Sequence, residues 1–390
     1  MIAFKLALRN LIGAGLRTWL NVFILSLAYV MIIWHRGFLD GWQNQAKRDT
    51  IQWEIGGGQY WHPVYDPYDP FALQNSHGTI PPAFGDLVKN RMATPVLITR
   101  GTIYPEGRMI SVLIKGLNPE QAIIQIPASQ LADTTDGVPA VIGKRMAKHT
   151  GLQVGDYVTV RWRDTHGTFD AREIRIADIF QTNDSAVDNA QIWISLPQMQ
   201  SMLQMPNEAT VIISSPKRTQ PLPDQPWIWH SQDDLLADIN NIIKSKSIGG
   251  SVMYVILMAL AMLAIFDTQV LSLFKRQREI GTHIALGMTR GQVIRLFTVE
   301  GAMHGILAAL MGAVYGIPLL RYQAIYGFQL PAATDDYGIT MADKIYPIYS
   351  LTLVVVTVAL ILVVVTFISY WPTRRISKMN PTDAIRGKIQ

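Results

Sequence analysis

A chain of 390 residues has room for two or three domains, and its 49% hydrophobic, 16% charged composition is high for a soluble globule yet low for a protein lying wholly in lipid. The net charge of +5 sits mostly in basic residues beside apolar runs, which membrane topology explains better than nucleic acid does. With no cysteine, disulfides, thiolate metal sites and cysteine nucleophiles are excluded.

Residues 1–17 mix apolar positions with Lys5, Arg9 and Arg17, the pattern of an amphipathic helix on the cytoplasmic membrane face. The apolar stretch that follows is too long for a signal-peptide core and no small-x-small cleavage site follows it, so 18–39 is expected to be a retained first span. Over 40–248 Pro, Gly, Asn, Asp and Gln become frequent and no run is long enough to cross a bilayer. Strands are expected at 95–104 and 108–115 around a Pro-Glu-Gly turn, and at 138–142, 156–163, 171–180, 191–195 and 211–214. Helices are expected at 144–150, stopped by Gly151, at 196–203, opened by Pro197, and at 233–246, running on into the next span. Together these make a mixed α+β domain of about 200 residues, enough to bury its own core.

Spans are expected at 249–274, 293–321 and 346–371, the last ending at Pro372 before a basic tail, 372–390. The segment between the second and third, 275–291, reads as a short amphipathic helix. Ile280 and Ile284 share one face, Arg276, Arg278 and Glu279 occupy the rest, Gly287 stops it and Thr289 caps the next helix. Basic residues mark the N-terminus, this segment and the tail, whereas the 322–345 loop carries Asp335, Asp336 and Asp343 against Lys344. The positive-inside rule then predicts four transmembrane helices with both termini cytoplasmic and a large α+β extracytoplasmic domain inserted between the first and second.

The third span carries Gly301, Gly305, Gly312 and Gly316 on one narrow stripe, fit for close helix packing either within the chain or against a second subunit. Asp267 and Glu300 lie near span ends within reach of Lys275 and Arg295, so structural pairing is expected before a proton relay. Catalytic signatures are lacking. The stretch 137–145 resembles a phosphate loop but has one residue too many and no Ser or Thr after Lys144. His62, His77, His149, His166 and His230 are scattered without metal-ligand spacing, and no nucleophile elbow is present. A non-catalytic membrane subunit is expected, with any ATP hydrolysis in a partner chain.

Several stretches resemble the FtsX-like permeases, the membrane subunits of MacB-type ABC transporters. They are Ala7-Leu8-Arg9-Asn10-Leu11 with Arg17-Thr18, Gly37-Phe38-Leu39-Asp40-Gly41, Val141-Ile142-Gly143-Lys144 and Gly151-Leu152-Gln153-Val154-Gly155-Asp156. Arg278-Glu279-Ile280-Gly281 with Ala285-Leu286-Gly287-Met288 is similar to the family's coupling helix, and Asn380 to Arg386 to its C-terminal motif. The resemblance implies that Arg276, Arg278, Glu279, Ile280, Gly281, Ile284, Ala285, Leu286, Gly287 and Met288 contact a separate ABC ATPase dimer that binds ATP and Mg. It further implies a second permease chain, identical or paralogous, in a bacterial inner membrane, and no cofactor in this chain. Within the family the lipoprotein-releasing subfamily is the first expectation, with Leu25, Tyr29, Met253, Leu257 and Met258 lining a cavity for acyl chains and a periplasmic carrier or adaptor as a further partner. The alternatives are MacB-like efflux of peptide, drug or glycolipid, FtsX-like regulation of cell-wall hydrolases without transport, and a membrane-anchored receptor or hydrolase with no ATPase.

Overall fold

A computed structural model describes residues 16–69, 71–218, 222, 226–275, 277–329 and 344–376, so the expected helix at 1–17 lies almost wholly outside the described residues, as does most of the 372–390 tail. The chain divides into two compact units, one helical (Met1–Gln43, Ile243–Gln329, Lys344–Gln390) and one mixed α/β (Asn44–Ile242, Leu330–Asp343).

The helical unit is built on α1 (Leu16–Thr50), and among the described residues four helices are long and apolar enough to cross a membrane. α1 does not stop near residue 39. The polar residues that follow include good helix formers (Gln43, Gln45, Ala46, Lys47, Arg48), and the helix yields only through a π-turn, Ile51–Ile55, to Gly56, Gly57 and Gly58. Positive φ at Gly56 (65°) and Gly58 (128°) ends it.

Four further helices belong to this architecture. They are α4 (Ala237–Lys275), α5 (Gln277–Ala285), α6 (Arg290–Tyr326) and α7 (Leu351–Ile376). The expected helix at 233–246 is in fact split. A short turn, Gln232–Leu235, opens with a capping box between Ser231 and Asp234, and α4 then begins and runs unbroken to Lys275. α7 starts five residues later than expected because Pro347 holds Tyr346 out of the α region, and Ile348 N–H donates to the Gly37 carbonyl (2.9 Å). It also continues through Pro372, where Thr373 Oγ1 donates to the Ser369 carbonyl (2.7 Å) and Ser369 Oγ to that of Val365 (2.8 Å).

Val22, Leu25, Tyr29 and Ile32 of α1, Ala308 of α6 and Ile361 and Val365 of α7 share one buried cluster. Glycines let the backbones close in. A methyl at Gly316 would sit 2.7 Å from Val30 Cγ2, at Gly312 3.3 Å from the Ser26 carbonyl oxygen, and at Gly305 2.9 Å from Leu362 Cδ2. At the other end of α1, a methyl on Gly41 would sit 2.3 Å from the Tyr346 carbonyl oxygen and one on Gly37 2.3 Å from the Tyr349 ring. Short strands β12 (Phe328–Gln329) and β13 (Lys344–Ile345) pair beside an aromatic group of Trp34, Phe38 and Phe328.

The α/β unit is organised around a long hairpin, β3 (Ala93–Ile103) and β4 (Ile110–Leu117). With β5 (Val138–Gly143), β6 (Tyr157–Arg163), β7 (Phe169–Phe180) and β8 (Gln191–Ser195) it runs in the order β3-β4-β8-β5-β7-β6, and β6 pairs back onto β3, closing six strands into a small barrel. The other half of β3 carries β10 (Val211–Ser214), β1 (Gln59–Trp61) and β11 (Ile228–His230) as a side sheet. A separate ribbon joins β2 (Gly78–Thr79) to β9 (Glu208–Ala209). The helices α2 (Lys144–Thr150) and α3 (Leu196–Leu203) contribute Met146, Met199, Met202 and Leu203 to the barrel core around Leu97, Ile142 and Trp162. The strands β1 and β11 escape sequence reading because each is only three residues long.

Candidate functional site

The hairpin joining α4 to α6 is the candidate site, and its shape follows from local chemistry. Leu286 N–H donates to the Thr282 carbonyl (2.9 Å) and Gly287 N–H to that of Ile284 (3.0 Å), closing α5. Gly287 then takes φ +98°, a conformation an L side chain rarely adopts. Two residues on, Thr289 caps α6. Gln292 N–H donates to the Thr289 hydroxyl while Thr289 N–H donates to Gln292 Oε1 (2.9 Å). Ile284 and Met288 pack against buried Val293 and Phe297, which clamps α5 onto the first turns of α6.

The clamp decides what is left outside. Gly281 is buried, and Ile284 and Met288 are half-buried. Glu279, Ala285 and Gly287 are exposed, and Leu286 is 79% exposed at the corner of the turn. Arg276 lies outside the described residues, as do the side chains of Arg278 and Ile280. The capped turn leaves Ala285 and Leu286 exposed, as Glu279 is earlier on α5.

The residues expected to line a cavity differ in exposure within this chain. Leu25 and Tyr29 are 3% and 2% exposed in the α1–α6–α7 cluster, with Leu257 and Met258 half-buried against it. Only Met253 is open, at 49%. Gly301, Gly305, Gly312 and Gly316 are all buried, and for the last three the closest neighbours come from α1 and α7. Glu300 is buried in α6, where its carbonyl lies 2.9 Å from His304 Nδ1, and Asp267 is exposed. Sequence reasoning gave no physical role to Gly37 and Gly41. Their four-residue spacing is itself a small-xxx-small pair, and it was the signal for the close approach of 346–349.

In the α/β unit, the stretch that resembles a phosphate loop holds no open anion site. The N-terminus of α2 is filled by Asp188, whose carboxylate accepts Arg145 N–H (3.2 Å) and pairs with the guanidinium (3.0 Å). Burial pushes the Asp188 carboxyl up, and the hydrogen bond and charge from Arg145 pull it back. A methyl at Gly143 would sit 2.1 Å from Asp188 Oδ1, so glycine is required there by this carboxylate. The histidines are less scattered than their spacing implies. His77 Nδ1 pairs with Glu208, His62 packs beside Gly78, and His230 lies 4.1 Å from the Trp61 ring. Burial lowers His62 and His230. Among the described residues no group of three His, Cys, Asp or Glu is placed to hold a metal ion.

The hairpin lies within a stretch that resembles a known family. Residues 251–381 match the FtsX-like permease C-terminal family. The lipoprotein-releasing system transmembrane protein LolC of Xylella fastidiosa strain 9a5c is 24% identical over 274 residues, and that of strain Temecula1 is 23% identical over the same length. Each match covers 63% of this chain and 64% of the relative, so the chain spans less than two thirds of the length of these curated relatives.

Proposed function

From the premise that residues 251–381 form an FtsX-like permease domain, we propose that this chain is the permease subunit of a mechanotransmission-type ABC transporter of a bacterial inner membrane. The observation that carries the reading is the coincidence of that match with a hairpin that is braced on α6 and leaves Glu279, Ala285 and Leu286 exposed. In this reading the 275–291 hairpin lies in the cytoplasm with both termini and docks on a separate ATPase dimer, which binds ATP and Mg. The α/β unit lies on the far side of the membrane.

Physical chemistry supports the coupling step. A helix transmits displacement along its axis only if nothing breaks it, and α4 is unbroken for 39 residues, beginning directly after the capped turn at Gln232–Leu235. In this reading movement imposed at Lys275 is passed along α4 toward residue 237. The likeness to LolC favours lipoprotein release as the task, with extraction from the outer leaflet and no passage of cargo through the lipid. Leu257 and Met258 would meet acyl chains once α4 moves off the α1 cluster, Met253 lining the opening. A second permease chain, identical or related, would complete the assembly, and a periplasmic carrier would receive the cargo.

Purification of the chain with its co-expressed ATPase tests this. Glu279→Arg, or a bulky residue at Gly287, should abolish ATPase recovery while the chain still inserts and folds. Undiminished recovery in both variants would reject the coupling role.

A further inference from the structure

The outer wall of the barrel carries a cavity of about 610 Å³ at the seam where β3 meets β6. That volume falls within the range of ligand pockets, roughly 300–1,000 Å³. Alternation along β6 turns Val158, Val160 and Trp162 inward and leaves Arg161 and Arg163 exposed. On β3, Arg100 is exposed beside Gly101, where a methyl would sit 2.5 Å from Ile114 Cδ1, so a glycine lets the seam close. The ladder pairs Thr102 with Arg161 and Gly101 with Trp162. One step further along the same register, Arg100 is level with Arg163.

All three arginines line the cavity, and no Asp or Glu does. Like charges facing each other across strands destabilise a sheet unless something neutralises them. Arg163 donates to the Gly167 carbonyl (3.0 Å) and to Gln74 Oε1 (3.2 Å), neutral acceptors that orient the guanidinium without cancelling its charge. Arg161 stacks 4.3 Å from the Phe169 ring. The same cavity is bordered by Phe169, Met109 and Phe71, which are 62%, 73% and 88% exposed. Cationic forks and bare apolar side chains thus share one concavity.

We propose that this cavity binds an anionic amphiphile, with a phosphate or carboxylate head on Arg100, Arg161 and Arg163 and an apolar body against Phe169, Met109 and Phe71. Planar guanidiniums match either head bidentately, and the apolar rim supplies the affinity a bare anion lacks. The assignment is independent of the coupling role of the 275–291 hairpin, because every lining residue lies in the α/β unit.

The test uses the full chain in nanodiscs of zwitterionic lipid, titrated calorimetrically with hexyl phosphate against empty discs. Hexanol serves as the headless control and inorganic phosphate as the tailless one. A triple variant, Arg100→Gln with Arg161→Gln and Arg163→Gln, should weaken hexyl phosphate by about tenfold or more, the loss of charge-assisted hydrogen bonds. Phe169→Ala, at an exposed ring that folding does not need, should weaken it several-fold and leave inorganic phosphate unaffected. Thermal unfolding of the triple variant should not fall, since repulsion has been removed. Replacing part of the lipid with an anionic phospholipid separates the sources. Arginine-dependent competition identifies a bilayer lipid, and unchanged affinity identifies a monomeric amphiphile, and both uphold the site. Equal binding by the triple variant, equal binding of hexanol, or inorganic phosphate as tight as hexyl phosphate would overturn the proposal. So would an acidic peptide that displaces hexyl phosphate and binds more tightly, because the surface would then belong to a protein partner.

Discussion

The two helices α1 and α4 have similar length and opposite surroundings. Of the apolar window of α1, 44% is buried within the chain, against 7% for α4. α1 is met by glycines: Gly312 and Gly316 receive Ser26 and Val30, and its own Gly37 and Gly41 receive the extended segment 346–349. α4 turns Val252, Val255, Ile256, Leu260 and Leu263 outward. Lipid tails are as apolar as leucine, so helices in a bilayer associate through close packing and hydrogen bonds rather than through exclusion of water. By that criterion α1 is the packed post of this chain and α4 its exposed arm.

The sharpest way to break the comparison is to spoil the post. In Gly41→Leu the new side chain meets the backbone of Tyr346 and Pro347, which cannot swing aside, and the loss should reach about 3 kcal/mol or more, read as a lowered unfolding midpoint in detergent. Gly316→Leu first meets the Val30 side chain and should cost about 1–3 kcal/mol. On the arm, Leu260→Gln leaves the midpoint within about 0.5 kcal/mol, as for a change at an exposed site, and weakens association with the second permease chain in crosslinking. If it unfolds the chain as Gly41→Leu does, the distinction between post and arm fails.

The smallest effect concerns the turn before α4. Hydrogen bonds from the Ser231 side chain and backbone hold the Asp234 carboxyl below its ordinary range. A depressed carboxyl contributes stability above its unfolded pKa and loses it as pH falls through the folded one. The Leu235 amide, bonded to the Ser231 carbonyl (3.1 Å), should thus be protected from hydrogen exchange at neutral pH and lose protection in acid, beyond the intrinsic change in exchange rate. Asp234→Asn should remove this pH dependence while leaving α1 unaffected.

Much of this was legible in the sequence wherever one local rule governs. The helix Lys144–Thr150 ends at Gly151 as its φ of +79° requires, Leu196–Leu203 opens on Pro197, and Thr289 caps α6. The strand Gln191–Ser195 is a short apolar run flanked by helix and turn signals. Illegible features depend on distant partners. Nothing near Gly101 announces that β6 returns to β3 and closes the barrel, because that pairing joins residues about sixty apart. Arg100 and Arg163 come level for the same reason. Pro372 was misread as a stop because the side-chain bonds beside it, Ser369 to the Val365 carbonyl and Thr373 to that of Ser369, act only once the helix exists. At the coupling hairpin the turn was readable from Gly287 and Thr289, but the burial of Gly281 and exposure of Leu286 follow from the fold of α5 onto α6.

The central claim is that force enters at the 275–291 hairpin on one face of the membrane and acts on a folded unit beyond the other. Because the chain contains no cysteine, single reporters are clean, and sidedness can be measured directly with a membrane-impermeant maleimide on intact and opened spheroplasts. Leu286→Cys should label only after opening, and Thr135→Cys, on an exposed loop of the α/β unit, should label in intact spheroplasts. Labelling of both from the same side would contradict the account.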